Sequence, residues 1–141
     1  MKTQIYPNNV DVLFCLRGAD MQSTTDQPLV AVGQFHSANN SVPFTKFKIT
    51  DIFAVRNTGG VSVACTGGIY TAAAKAGIAV VAAGQSWLGL TGADKVVKPA
   101  SAYDSDILTL PVGAAGLFLS LTIGSTAACT ADIYVFGFPL Y

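Results

Sequence analysis

Leu117-Phe118-Leu119-Ser120-Leu121-Thr122-Ile123 is followed by the small-residue link Gly124-Ser125-Thr126-Ala127-Ala128 and then by Cys129 to Tyr141, CTADIYVFGFPLY. Leu117, Leu119, Leu121 and Ile123 recur at a period of two, with Phe118, Ser120 and Thr122 between them. Cys129, Ala131, Ile133 and Val135 form a second apolar row. A period of two places alternate side chains on one face of a strand. Two such runs joined by a short link predict a β-hairpin. Tyr134, Phe136 and Phe138 alternate with Ile133 and Val135, so the last strand is apolar on both faces. Such a strand sits either in the middle of the fold or where another subunit docks.

Working outward, short apolar runs recur between Gly, Pro, Asn and Ser turns. Leu29–Val32, Phe44–Arg56, Val61–Ala64, Ile69–Thr71, Ile78–Ala82, Ser86–Leu90, Val96–Val97 and Ile107–Leu110 read as strands. In the second of these, Phe47, Ile49, Phe53 and Val55 share one face, interrupted by Asp51, and Lys46, Lys48 and Thr50 share the other. Asn57-Thr58-Gly59-Gly60 reads as a turn. Gly67-Gly68 suggests a bulge or a close backbone approach. Ala72–Ala76 has helical propensity for a single turn, which cannot stand alone before Gly77, so a turn between strands is expected. No amphipathic helix emerges. The expected class is all-β: a jelly-roll-like β-sandwich of about eight strands over residues 29–141, preceded by an extended N-terminal segment. An immunoglobulin-like sandwich is the alternative. Its Cys…Trp…Cys order is present, but Trp87 lies in a Gly-rich turn region.

Residues 1–28 differ from the rest. One apolar patch, Val12-Leu13-Phe14-Cys15-Leu16, is set between polar stretches. It is read as an arm or edge strand, of the kind that pairs with a neighbouring subunit's sheet, or else as a first core strand.

Charged residues make up 11% of the 141, against about 25% in an average soluble domain. Eight basic and eight acidic residues cancel. A monomer so poor in charge is poorly soluble, which favours a surface covered by other protein chains over a bare Ser/Thr/Asn surface. Lys46 and Lys48 are the densest basic pair, too few for a phosphate backbone, so no direct nucleic-acid partner is expected. Lys2 precedes Thr-Gln-Ile-Tyr-Pro rather than an apolar run, so no secretory signal is expected. The Ala72–Leu90 region is too interrupted by Lys75, Gln85 and glycines for a membrane span. Cys15, Cys65 and Cys129 lie far apart in apolar runs without CxxC spacing. They are expected as buried free thiols in a reducing cytoplasm.

Chemistry-bearing motifs are weak. His36 is the single histidine, and no Cys, Asp or Glu stands near it to begin a zinc site. All eight acidic residues are aspartates. Asp104 and Asp106, with Ser101 and Ser105, lack the further ligands and the Gly of a calcium loop. Gly67 and Gly68 are followed by Lys75 without the GxxxxGK[ST] order, and no GxSxG elbow occurs. No catalytic residue, cofactor site or metal site is assigned, and no enzyme activity is expected.

Gly67-Gly68-Ile69-Tyr70, Gln85-Ser86-Trp87 and Thr130-Ala131-Asp132-Ile133-Tyr134-Val135-Phe136-Gly137 together give the stretch Phe44–Leu140 a pattern. It resembles the head decoration, or cement, proteins of tailed bacteriophages. The resemblance implies a jelly-roll body on the outside of a virion capsid, made in the host cytoplasm. It implies a homo-oligomer, dimer or trimer, that stabilises the shell by bridging major capsid protein subunits. It carries no catalytic residues, and the long segment before Leu29 departs from the family's simplest pattern. Contact with partners is expected from Val12, Leu13, Phe14 and Leu16, and from Phe136, Phe138 and Tyr141, positions equally compatible with a core. The competing expectation is a carbohydrate-binding jelly-roll module with Trp87, Tyr70 and Tyr103 as stacking platforms, which burial of Trp87 would deprive of its best candidate. A shell-forming coat subunit is a third, weaker one.

Overall fold

The computed structural model describes residues 11–32, 46–61, 64–91, 95–99, 107–111 and 116–140. The described chain is all-β: β1 (Asp11–Asp20), β2 (Gln27–Ala31), β3 (Lys46–Gly59), β4 (Thr66–Ala72), β5 (Ala76–Val81), β6 (Val96–Val97), β7 (Leu108–Thr109), β8 (Gly116–Ile123) and β9 (Cys129–Leu140). All pairings are antiparallel. They follow one continuous path, β5-β4-β8-β2-β1-β9-β3-β6, with β7 also on β3. The sheet is open and curled, with one apolar cluster that includes Val80 and Val81 of β5 as well as Ile52 and Ala54 of β3. Neighbouring strands lie about 4.8 Å apart, so a flat sheet would hold β5 and β3 roughly 29 Å from each other. A jelly roll divides its strands between two sheets; here the hydrogen-bonded path is undivided.

The expected terminal hairpin does not form. Its two runs are strands, β8 and β9, but β2 and β1 stand between them. β8 pairs with β2 and β4, while β9 pairs with β1 and β3. The Gly124–Ala128 link is therefore a crossover over the end of the β1–β2 hairpin. Met21 anchors it. Its N–H donates to Cys129 O (2.9 Å), and its carbonyl accepts from Ser125 N–H (2.7 Å) and from the Cys65 thiol (3.6 Å). The Gln22 amide donates to Thr126 O at 3.1 Å. Any side chain at Gly124 would run into the Gln22 carbonyl, which is why the link begins with glycine.

For its described part, the same pairing decides between the two readings of the N-terminal segment in favour of a core strand. Asp11–Asp20 is neither an arm nor an edge strand but lies between β2 and β9. Its apolar patch is enough to earn that place, because Leu13 and Phe14 are both fully buried. A register shift between Val12 and Phe14 lets two successive side chains turn inward. Phe14 meets Phe47 edge to face at 5.0 Å and 74°, a geometry worth about 1 kcal/mol beyond the area buried. Residues 1–10 fall outside the described part.

In β3 the expected faces hold only as far as Ile49. Phe47 and Ile49 are buried, and then a register shift between Ile49 and Asp51 reverses the alternation. Beyond it Ile52 and Ala54 point inward, while Phe53 and Val55 point outward. The shift resolves the interruption at Asp51, since a carboxylate in the buried row would need a partner there. β3 also continues through Asn57–Gly59, where a turn was expected. Thr58 and Thr130 join hydroxyls at 2.7 Å as the ladder runs on to Gly59 and Cys129.

Other expectations met the structure in detail. Gly67 and Gly68 are close approaches: a Cβ there would meet Leu121 Cα and the Val81 carbonyl, and the register shifts between Thr66 and Gly67. Ala73–Lys75 is the turn between β4 and β5. Ser86–Leu90 is not a strand. Leu88–Thr91 forms a 3-10 turn, closed by Thr91 Oγ1 donating to Leu88 O at 2.5 Å. Cys65 and Cys129 are buried and Cys15 half-buried, and all three are free thiols. No helix among the described residues is long and apolar enough to cross a membrane.

Candidate functional site

The inner face of the β1–β9–β3 trio is core, and its outer face is the candidate site. Along β9, Cys129, Ala131, Ile133 and Val135 are buried, and Asp132, Tyr134, Phe136, Phe138 and Leu140 are half-buried on the opposite side. Cross-strand register extends that side in rows. Val30, Cys15, Tyr134 and Phe53 stand side by side across β2, β1, β9 and β3. In the next row Val12 and Asp51 flank Phe136. Beyond the Phe53 row, Val55 lies between Asp132 and Val96.

Aromatic contacts hold this surface in place. Phe53 and Phe136 meet edge to face at 5.8 Å, and Tyr134 lies 6.5 Å from Phe136. Lys98 sits 5.6 Å from the Phe53 ring and 2.8 Å from the Asp51 carboxylate. Lys98 is largely in water and Asp51 partly so, so the pair contributes at most about 1 kcal/mol, but it fixes the border of the aromatic row. Three valines remain in solvent: Val30 at 57%, Val96 at 43% and Val55 at 39% exposure. Single exposed valines are ordinary, but here they adjoin a continuous aromatic row, and a contiguous apolar patch marks an interaction surface.

The two ends of the face differ in charge. Lys46 stands beside Leu140 and Lys48 beside Phe138. At the other end Asp132 accepts the Gly18 N–H at 2.8 Å, near exposed Arg17.

Of the contact residues expected from sequence, Val12, Phe136 and Phe138 belong to this outer face. Leu13 and Phe14 do not; they are core side chains with no exposed surface. Leu16 packs against the core, opposite buried Ile133. Tyr141 lies outside the described residues. Sequence reasoning did not single out Tyr134 and Phe53 as contact residues, nor Val30, Val55 and Val96. The signal for Phe53 and Val55 was Asp51, which marks where β3 changes phase.

The remaining candidates resolve as follows. Trp87 is fully buried, and its indole N–H donates to Gly67 O at 3.1 Å. Tyr70 is 5% exposed. Neither offers a stacking platform, and Tyr103 lies outside the described residues, as do His36, Ser101, Asp104, Ser105 and Asp106. Burial pushes the Cys65 thiol up to about 11, and burial also raises Cys129, so both stay protonated and unreactive at neutral pH. Among the described residues no group of three or more His, Cys, Asp or Glu side chains could hold a metal ion. Comparison with known protein families, curated proteins and solved structures finds no match for this chain.

Proposed function

We propose that this chain is a structural virion protein that decorates a bacteriophage capsid and stabilises it by bridging major capsid protein subunits. The observation that carries the reading is the apolar outer face of β2, β1, β9, β3 and β6, with Tyr134 at its centre. Such a role needs a docking face and no catalytic group. It also fits a chain with 11% charged residues, whose solubility improves once that face is covered. In the same reading the curl of the sheet brings the β5–β4–β8 half over the β9–β3 half as a jelly-roll-like wall. Self-association into a dimer or trimer on the virion surface would let modest contacts act together, because linked sites raise one another's effective concentration.

The carbohydrate-binding alternative loses its best residue, since Trp87 is inside and hydrogen-bonded. The test is co-sedimentation of the purified chain with undecorated, emptied heads of tailed phages. Binding that saturates at a fixed ratio of chain to capsid subunit, and that Tyr134→Ser with Phe136→Ser abolishes, supports the reading. Failure to bind any head, alongside measurable glycan binding, overturns it.

A further inference from the structure

We infer that the outer face of β1, β9 and β3 pairs with a second copy of this chain, about a two-fold axis lying across the strands between the rows of Tyr134 and Phe136. The inference deepens the reading above and rests on it for the face being a docking surface. It names what sits there. Bridging then follows from pairing, because each copy of a dimer can hold one capsid subunit.

The placement of charge along the face selects the occupant. Cross-strand register puts Lys48 in the row of Phe138 and Lys46 in the row of Leu140. Toward the other end Asp132 shares a row with Val55, and Thr130 stands between Asp20 and Thr58. Asp132 Oδ1 accepts the Gly18 N–H at 2.8 Å, which holds the carboxylate at that end. Arg17 falls within the β1 register shift and Lys95 precedes β6, so neither belongs to a paired row. Between the ends, Asp51 is paired with Lys98 at 2.8 Å.

An axis across the strands turns the face end for end and keeps the strand order across it. The Phe138 row of one copy then lies over the Asp132 row of the other, and the Tyr134 and Phe136 rows cover each other at the centre. Lys48 on β3 comes to rest with a lateral offset of one strand, about 4.8 Å, from Asp132 on the other copy's β9, within reach of a lysine side chain. The contact occurs twice, because such an interface is isologous. An axis along the strands would instead set the lysine rows of the two copies level with each other.

Size and net charge agree with this occupant. The face spans β2 to β6, about 19 Å across, and Asp132 to Leu140, about 27 Å along, on the order of 500 Å². A dimer buries about twice that, near the lower bound of a specific interface, so its dissociation constant should be on the order of 10–100 µM. Eight basic and eight acidic residues cancel, and a chain without net charge has no long-range repulsion against its own copy.

The experiment is sedimentation equilibrium of the full chain without phage heads, from about 5 to about 500 µM, after circular dichroism shows each variant folded. Wild type should pass from monomer to dimer. Lys48→Glu and Asp132→Lys should each weaken the dimer by about tenfold or more, and an equimolar mixture of the two should recover it, because both contacts of the mixed dimer then join opposite charges. Asp132 also accepts the Gly18 N–H, so a second measurement uses wild type alone. A zero-length carbodiimide applied to mixed isotopically light and heavy chains should give a Lys48–Asp132 cross-link that joins light to heavy. A chain that stays monomeric throughout, or that forms a trimer, overturns the inference. So does a dimer that Phe136→Ser leaves intact and that lacks the cross-link. Co-sedimentation with heads judges the capsid reading separately: a cross-linked dimer that binds no head sinks that reading and leaves the pairing standing, and a monomer that binds heads does the reverse.

Discussion

Asp26 shows how one side chain can hold two distant turns. Its carboxylate accepts the Ala74 N–H at 2.6 Å, joining the β1–β2 connection to the β4–β5 turn. In that turn Ala74 and Lys75 both have φ of 58°, a conformation that costs an L-residue about 1–2 kcal/mol. The Ala74 N–H holds the Asp26 carboxyl below its usual range, with the neighbouring Ser120 hydroxyl and the Lys75 charge as lesser causes. Ser120 Oγ is itself buried outside hydrogen-bonding geometry, so the amide is the decisive partner. A carboxyl whose pKa is depressed by folding stabilises the protein above its unfolded value and ceases to do so as the pH falls through the folded one. Thermal melts should therefore show Asp26→Asn losing stability relative to wild type at about pH 7, with the difference shrinking as the pH falls below the usual carboxylate range. Replacing Ala74 by Gly should raise stability by up to about 1 kcal/mol in urea unfolding, because glycine takes positive φ without strain. Trp87→Phe should cost about 1–3 kcal/mol, since it leaves the Gly67 carbonyl without its buried donor. Native thiol titration should find Cys15 reacting first, with Cys65 and Cys129 silent until unfolding.

At the scale of elements, alternation was legible and adjacency was not. The period of two marked β9 correctly and β8 as far as Leu121, but Ile123, in the same row, is 49% exposed, and Ser120 on the opposite row is buried. Sequence proximity suggested that they pair, yet the partners of each come from far along the chain. Nothing in Gly124–Ala128 distinguishes a hairpin loop from a crossover until Met21 and Gln22 are seen beneath it. Likewise, alternation alone puts Phe53 and Val55 on one face with Phe47 and Ile49, and a single register shift moves them to the surface. The outer-face residues of β9 were half legible: Phe136 and Phe138 lie there, but so does Tyr134. Leu13 and Phe14 looked like an arm's anchor because the run is short and flanked by polar residues, whereas their burial comes from β9 and β3, which a local reading cannot see. The crossover gives a direct test. Gly124→Val should destabilise by about 2 kcal/mol or more, since the added side chain meets backbone at Gln22 that cannot rotate away. Deleting residues 11–31 should abolish the cooperative unfolding transition altogether, where loss of a mere arm would leave it intact.

For the whole molecule, the pairing of β1 with β9 makes the dominant contacts remote in sequence. Proteins dominated by such contacts fold in about milliseconds to seconds, so refolding followed through Trp87 fluorescence should fall in that range. Cys15 lies beside Tyr134 on the outer face, so its labelling rate should drop when a partner covers that face. The wedging of β1 and β2 between β8 and β9 also bears on how the chain is made. The ribosome releases the β1–β2 hairpin well before the two strands that flank it. Until Leu140 has emerged, β1 lacks its longer partner and Leu13 and Phe14 lack their cover. A nascent chain stalled before Cys129 should therefore remain protease-sensitive and bind holding chaperones, and protection should appear only once β9 has left the exit tunnel.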